Sequence, residues 1–439
     1  MGSYHMTLGE KPLIGFFPAF ASMGETIPLV KIAKAYVDSG GKAIFFSHSR
    51  EFEYLAEEKG FTIVRLKPLL GKNPEETSQL YKNGMPFEKV LARRFDRETI
   101  ENAVQEEIEA FKATKVEMIV SAFTFTCSIS ARVLRIPLVV VTSGVAIPLY
   151  YESSYVTIPE EYENFFIRRF PQSLKNRIAK WYLLHNKLLV REFNKVASHY
   201  HVAPFKYTLD VLLGDHTLMC DDINFLGIQP SKEFPLENFI GPLVPRTSDE
   251  KQPSKIDADI EHHLLRPGRS IVLAMGSAYN YGNLFPVLIE TLSNTDYNVI
   301  AVYKDIQHSD LKTKTKENIL LKEFIPLDSI LKKVDLAITH GGRGTIYTVA
   351  YAGKPAICIP IISEQQFNID NLVRAGAGIC LSKKNLDSNK IIKAIDTIFN
   401  NYTTFLEHAQ QLPKRLSRGV GEDKAVQRLL EIYQSYQRT

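Results

Sequence analysis

Two short stretches carry the side chains that could do chemistry. "SMGETIPLV", Ser22–Val30, follows the apolar run "PLIGFFPAF" and offers one ionisable group, Glu25. A carboxylate at a helix start can play two roles. Burial would raise its pKa toward the operating pH and make it a general base. The positive end of the helix dipole would instead stabilise the charge, leaving Glu25 a plain first-turn residue. His48, in "FFSHS" at the end of the next apolar run, is a second candidate base or a surface-loop histidine.

The second stretch is "VDLAITHGGRGTIYTVAYAGKPAICIPIISEQQFNIDNLVRAGAGICL". Its apolar run Leu336–Thr339 ends in His340-Gly341-Gly342, and a helix is expected to start near Gly344-Thr345. A helix start presents free N–H groups and a positive field, and small residues let a diphosphate approach them. His340 could donate a hydrogen bond to the same phosphates; the plain alternative is a turn. Glu364-Gln365 pairs acceptors with donors, which suits a polyol, or else forms a solvated loop. "DAD" at Asp257–Asp259 superficially matches a metal-binding acid pair, but it lies in a linker, so no metal site is expected.

The elements that must position these groups are strands and helices in alternation. Leu13–Phe17 reads as a buried strand, Ile27–Ser39 as a helix and Ala43–Ser47 as a second strand: a βαβ unit with parallel strands. Phe87–Ala113 reads as one long helical stretch before a strand at Met118–Val120. Ser153–Ser198 has no strand signal and reads as helical. Phe239–Glu261 turns polar and proline-rich, as a linker does. Ser270–Ala274, Leu284–Ser293, Asn298–Tyr303 and Leu336–Thr339 then resume the alternation, and a last helix begins near Gly421. Two such halves make two doubly wound, Rossmann-like domains, with the strand carboxyl ends facing a cleft between them.

The second half resembles the nucleotide-sugar-binding segment of family 1 glycosyltransferases of the GT-B fold. "THGGRGT", "AGKPAICIP" and "EQQFN" follow that family's order and spacing, and "GPLVP", "LAMGS" and "EFIPLDSIL" add to the match. The resemblance runs from about Leu13 to about Leu381 and is weak between Val145 and Leu236. It implies an acceptor-binding domain at 6–240, a donor-binding domain at 241–420, and a helix at 421–439 that crosses back to the first domain. By the same resemblance, Ser277, His340, Gly342, Gly344 and Thr345 would hold the diphosphate. Phe324 and Ile325 would border the base, Thr348 would face the ribose, and Glu364 and Gln365 would hold the sugar. An inverting transfer is implied as well.

Three positions depart from the family pattern. Thr348 stands where many members carry a ribose-gripping glutamate, which opens the choice between a UDP- and a dTDP-sugar. Arg343 replaces a small residue. Glu25 occupies the place of the usual histidine base, and "IVSAFTF" supplies no acid where its aspartate partner would be.

Composition sets outer limits. A chain of 439 residues, 45% hydrophobic and 23% charged, fits a globular protein of two domains. A net charge of +4 is too small for a dedicated nucleic-acid binder. Cys127, Cys220, Cys358 and Cys380 form no CxxC pair and read as buried free thiols of a reducing compartment. No apolar run suits a membrane span, no signal peptide is read, and "MGSYH" is set aside as an expression scar. A cytoplasmic protein is expected. Residues 144–205 are aromatic and basic and are expected to shape the acceptor pocket through Ser143, Tyr150 and Tyr151. Segment 165–195 would serve as a lid, a peripheral membrane contact or a solvated surface.

The sequence therefore supports a metal-independent, cofactor-free glycosyltransferase, monomer or homodimer. Its nucleotide-sugar co-substrate would donate to a hydrophobic small molecule, a natural product or a lipid. The alternatives are a catalytically silent homologue that activates a partner, and a nucleotide-sugar epimerase on the same fold.

Overall fold

Continuous apolar runs separated by amphipathic helices leave each strand two faces to bury, and parallel sheets satisfy this by covering both. The computed structural model describes residues 11–69, 87–153, 156–162, 167–244, 256–276, 284–303, 315–384, 386–417 and 420–438. The first sheet contains β1 (Leu13–Pro18), β2 (Lys42–Ser47), β3 (Ile63–Arg65), β4 (Met118–Ala122), β5 (Leu138–Thr142) and β6 (His216–Met219). Its order is β3-β2-β1-β4-β5-β6, parallel throughout. The second contains β7 (Ser270–Ala274), β8 (Asn298–Val302), β9 (Ile319–Lys322), β10 (Leu336–Thr339), β11 (Ala356–Cys358) and β12 (Gly378–Cys380). Its order, β12-β11-β10-β7-β8-β9, repeats the same pattern. The expected pair of doubly wound domains is observed.

Alternation along each central strand divides its side chains between two cores. Ile14 and Phe16 of β1 join one cluster and Phe17 the other; Val120 and Ile119 of β4 divide in the same way. In the second sheet, Val272 faces one core while Ile271 and Leu273 face the other.

Several elements differ from the sequence reading. The Phe87–Ala113 stretch is two helices, Phe87–Arg94 and Arg97–Thr114. Asp96 breaks it, and its carboxylate caps the second helix by accepting from Thr99 N. Ser153–Ser198 contains short 3-10 turns before the helices Gln172–His185 and Val190–His199. Cys380 is exposed on edge strand β12, whereas the other three thiols are buried. The final helix, Gly421–Gln437, lays Ala425, Val426, Leu429 and Ile432 into the core beneath β1. Among the described residues, no helix is long and apolar enough to cross a membrane.

Candidate active site

In a doubly wound sheet, ligands bind beyond the strand carboxyl ends where the strand order reverses. Those points lie between β1 and β4 in the first sheet and between β7 and β10 in the second. The helix after β1 carries Glu25 and the loop after β10 carries His340, so the fold brings the two chemically suggestive stretches to the two switch points.

His340 follows β10 and is 6% exposed. Its imidazole is wedged between two glycines. A Cβ on Gly276 would sit 2.5 Å from His340 Cε1, and one on Gly342 would sit 2.6 Å from Nε2. Gly276 also has φ +83°, which a side chain would strain. Burial depresses the His340 pKa to about 4, against a backbone hydrogen bond at Ala274 that raises it. The ring is therefore neutral at pH 7. Gly342 caps the helix Arg343–Ala352, and the position above Gly344 is open space. Free N–H groups, a neutral imidazole and the positive end of a helix together make an anion cradle.

The helix Met23–Asp38 begins four residues before the expected Ile27, which puts Glu25 in its first turn. Pro28 lies inside this helix and has no N–H to give the carbonyl of Gly24, four residues earlier. Arg343 of the second domain supplies that donor, its Nη2 lying 3.1 Å from Gly24 O. The interdomain contact thus occurs at the carbonyl that the proline leaves without a helical donor, one residue from Glu25. Burial raises the Glu25 carboxyl; a hydrogen bond from its own backbone and the Arg343 charge restrain that rise.

Two more carboxyls face Arg343. Glu364, on the helix Ser363–Arg374, is pushed up to about 7 by burial, with Arg343 and Asn368 opposing. Asp221, just beyond β6, is 1% exposed and is also raised by burial. Its Oδ2 accepts from Gly144 N at 2.6 Å and Ser143 Oγ at 3.2 Å. One guanidinium among three carboxyls leaves a net negative cluster if all ionise. Glu364, at about 7, shares a proton near neutrality, and burial shifts Glu25 and Asp221 in the same direction.

The other expected site residues fall into two groups. Thr345 is on the first turn of the cradle helix, and Phe324, just after β9, is 78% exposed with its ring presented outward. Ser277 lies outside the described residues. Ile325 points into the core at 5% exposure. Thr348 donates its hydroxyl proton to Gly344 O at 2.7 Å, so it can only accept from a ribose. Gln365 is 1% exposed, and its Oε1 accepts from Ile361 N, which bolts down the loop instead of facing a sugar.

The acceptor-side expectations need correction. Ser143 is buried and donates to Asp221. Tyr150 is wholly buried; its ring and that of Tyr151 pack on Phe367 of the second domain, so they form a domain junction and not a pocket wall. His48 is held by Lys67 O at 2.7 Å on Nδ1 and Glu107 Oε1 at 3.1 Å on Nε2. Burial alone would lower its pKa, but Glu107 more than offsets this and holds it above the ordinary value. With both ring nitrogens engaged, His48 has no site from which to take a substrate proton. Asp257 and Asp259 both pair with Lys322, at 3.0 and 2.6 Å. Among the described residues, no three His, Cys, Asp or Glu side chains are grouped to hold a metal.

Three residues escaped the sequence reading. Asp221 was legible only as an acid after an apolar run, in "LMCDD". Asn368 ties Glu364 Oε1, at 2.7 Å, to the His340 turn through Gly341 O, at 3.3 Å; its place four residues after Glu364 was the available signal. Phe123 follows β4 with φ +61° and stays 40% exposed, a backbone conformation rare for an aromatic residue. Its ring meets Phe125 at 4.7 Å and stands at the first sheet's switch point.

Residues 287–422 match the glycosyltransferase family 28 C-terminal domain. The uncharacterized UDP-glucosyltransferase YojK of Bacillus subtilis (strain 168) is 27% identical over 233 residues, 52% of this chain and 55% of that protein. The NDP-glycosyltransferase YjiC of the same strain is 24% identical over 189 residues, 43% of this chain and 46% of that protein. The chain thus spans about half the length of the curated relatives it matches. The solved spinosyn rhamnosyltransferase SpnG complexed with thymidine diphosphate superposes with a TM-score of 0.65 at 17% identity. That match covers 95% of this chain and 99% of the other. The GT-B fold is the one expected from the motifs, and the fold match bears it out; the second half is in addition similar to glycosyltransferases.

Proposed function

We propose that this GT-B protein transfers a sugar, with inversion and without a metal ion, from a UDP- or dTDP-sugar to a hydrophobic or aromatic acceptor. One observation carries the reading: Arg343, the first residue of the helix behind the His340 turn, bonds to Gly24 O of the other domain and so sets the anion cradle against the helix start that carries Glu25. The relatives named as UDP-glucosyltransferase and NDP-glycosyltransferase, and the thymidine diphosphate held by SpnG, support the donor class.

In this mechanism the donor diphosphate lies on the N-terminus of helix Arg343–Ala352. Beside the diphosphate's charge His340 takes up a second proton and donates to it the N–H that the Ala274 carbonyl does not occupy, while Glu364 holds sugar hydroxyls. The acceptor rests on Phe123. Glu25 takes the acceptor hydroxyl proton as that oxygen forms its bond to the anomeric carbon. The bond from that carbon to the phosphate oxygen breaks on the opposite face, and its electron pair leaves with the nucleoside diphosphate. The helix field and Arg343 stabilise the departing charge. A buried carboxyl suits the base role because its raised pKa lies nearer the working pH.

Calorimetry with UDP and dTDP tests the donor half. His340→Ala should weaken both by at least about 1 kcal/mol, the scale of a hydrogen bond to a charged group. Because Thr348 offers a single hydroxyl where a carboxylate would grip both ribose hydroxyls, dTDP should bind at least as tightly as UDP. Unchanged affinity in the variant would remove His340 from the phosphate site. A clear preference for UDP that disappears with its 2′-deoxy form would place a different ribose grip in the cleft.

One observation favours the epimerase as a second reading: the cleft holds three carboxyls with raised pKa values. Asp221 is already engaged by Ser143, Gly144 and Tyr347, which leaves Glu25 and Glu364 for chemistry.

A further inference from the structure

From Ile167 to Arg191 the chain has seven arginines and lysines and no acid, while the whole chain carries only +4, so the rest is net negative. The same stretch exposes three large apolar side chains among the described residues. Phe170 is 41%, Leu174 39% and Trp181 63% exposed. Leu174 and Trp181 are seven residues apart on the helix Gln172–His185, hence on one face, with Arg177 between them on the exposed side. Trp181 stacks on His185 at 5.6 Å, and His185 meets Tyr207 edge-on at 5.2 Å. Lys206 and Lys187 lie over the Tyr207 ring at 4.9 and 5.9 Å. The result is a continuous aromatic strip edged by cations. Two nearby acids are occupied: Glu192 pairs with Lys195 at 2.8 Å and more loosely with Arg191 at 3.6 Å, and Asp210 accepts from Lys206 N and Tyr207 N.

We infer that this face docks on an anionic lipid bilayer, with Trp181 and Leu174 entering the headgroup region and Arg177, Lys187 and Lys206 meeting lipid phosphates. Interfacial binding needs two contributions, buried apolar area and attraction to anionic lipid, and the strip supplies both. Tryptophan is suited to that depth because its ring is apolar and its N–H polar. The helix packs through Ala179 and Leu183 on the cluster that contains Tyr150 and Phe367. Docking therefore sets the junction of the two domains close to the lipid, where a hydrophobic acceptor would partition. The inference does not depend on glycosyl transfer, since vesicle binding needs neither donor nor acceptor.

Trp181 is the only tryptophan in the chain, so its emission reports the docking face alone. Vesicles of phosphatidylglycerol and phosphatidylcholine should shift the emission to the blue and sediment the protein; pure phosphatidylcholine should do neither. Each cation near an anionic surface is worth about fivefold in partitioning. Reversing two charges, Arg177→Glu with Lys187→Glu, should thus cut binding at least about tenfold. Trp181→Ala should weaken sedimentation while nucleotide affinity stays unchanged, which confirms the fold. Raising the salt should weaken binding in parallel. Three results would overturn the inference: no shift on anionic vesicles, full binding by the charge-reversed protein, or an equal response to free glycerol phosphate.

Discussion

Glu25→Gln is expected to keep the fold and the nucleotide affinity and to cut turnover by roughly 10²–10⁴, the usual share of general base catalysis. Glutamine keeps the size and the hydrogen-bond capacity of the side chain but cannot accept the proton. The loss should depend on the acceptor. An aliphatic alcohol needs the base throughout and should lose the most; an acidic phenol arrives nearly ionised and should lose little. The pH profile gives an independent reading. Burial raises the Glu25 pKa, so the wild-type rate should climb with pH through that raised value, and the variant should lack this limb. If Glu25 only complements the helix dipole, the change costs less than about 1 kcal/mol of stability and leaves both acceptors equally fast. That outcome would return the proton problem to the acceptor, because His48 has both nitrogens engaged.

The second large effect concerns stability. Glu107 is wholly buried and accepts from His48 Nε2, from Thr126 Oγ1 and from Ser130 Oγ at 2.5 Å. Glu107→Ala leaves these donors without their acceptor and should cost about 3–5 kcal/mol, the range for breaking a buried pair. In a domain of this size that corresponds to a melting point lower by roughly 10 °C. The pair also has a sign with pH. The folded pKa of His48 lies above its unfolded value near 6.5. The ionic part of the stabilisation is therefore complete below pH 6.5 and fades as pH rises through the folded value. Thermal melts of wild type and Glu107→Gln should accordingly differ most at pH 5.5–6 and converge in alkali. A variant that melts normally but has lost turnover would instead make His48 and Glu107 part of the catalytic machinery.

These two residues mark where sequence reading succeeds and where it stops. β7, β10 and the helix Leu284–Ser293 match their expected bounds because each is an apolar run between breakers. The His340 turn was legible because two physical needs, small residues and a helix start, coincide in one heptapeptide. The start of the first helix was misjudged because Pro28 usually opens a helix, whereas here it lies inside one. The acceptor side was harder to read because its contacts are long-range. Tyr150 reaches Phe367, Glu107 reaches His48, and Asp221 reaches Ser143, each across tens or hundreds of residues. No local pattern states that an aromatic cluster will close a domain junction instead of lining a pocket. Phe123 was hidden for a related reason: its exposure depends on a left-handed turn that nothing in "SAFTF" demands.

The central claim is a transfer reaction with Glu25 and the His340 cradle on opposite sides of the reacting bond. Mass spectrometry of the products from a screen of UDP- and dTDP-sugars against phenols, hydrophobic alcohols and lipid-linked alcohols tests it most directly. The account predicts an acceptor heavier by one glycosyl unit, an inverted anomeric bond, and one nucleoside diphosphate released per sugar moved. Glu25→Gln should slow product formation on the alcohols. The account would be contradicted by a donor that binds tightly yet is returned intact with every acceptor, or by one returned as an epimer.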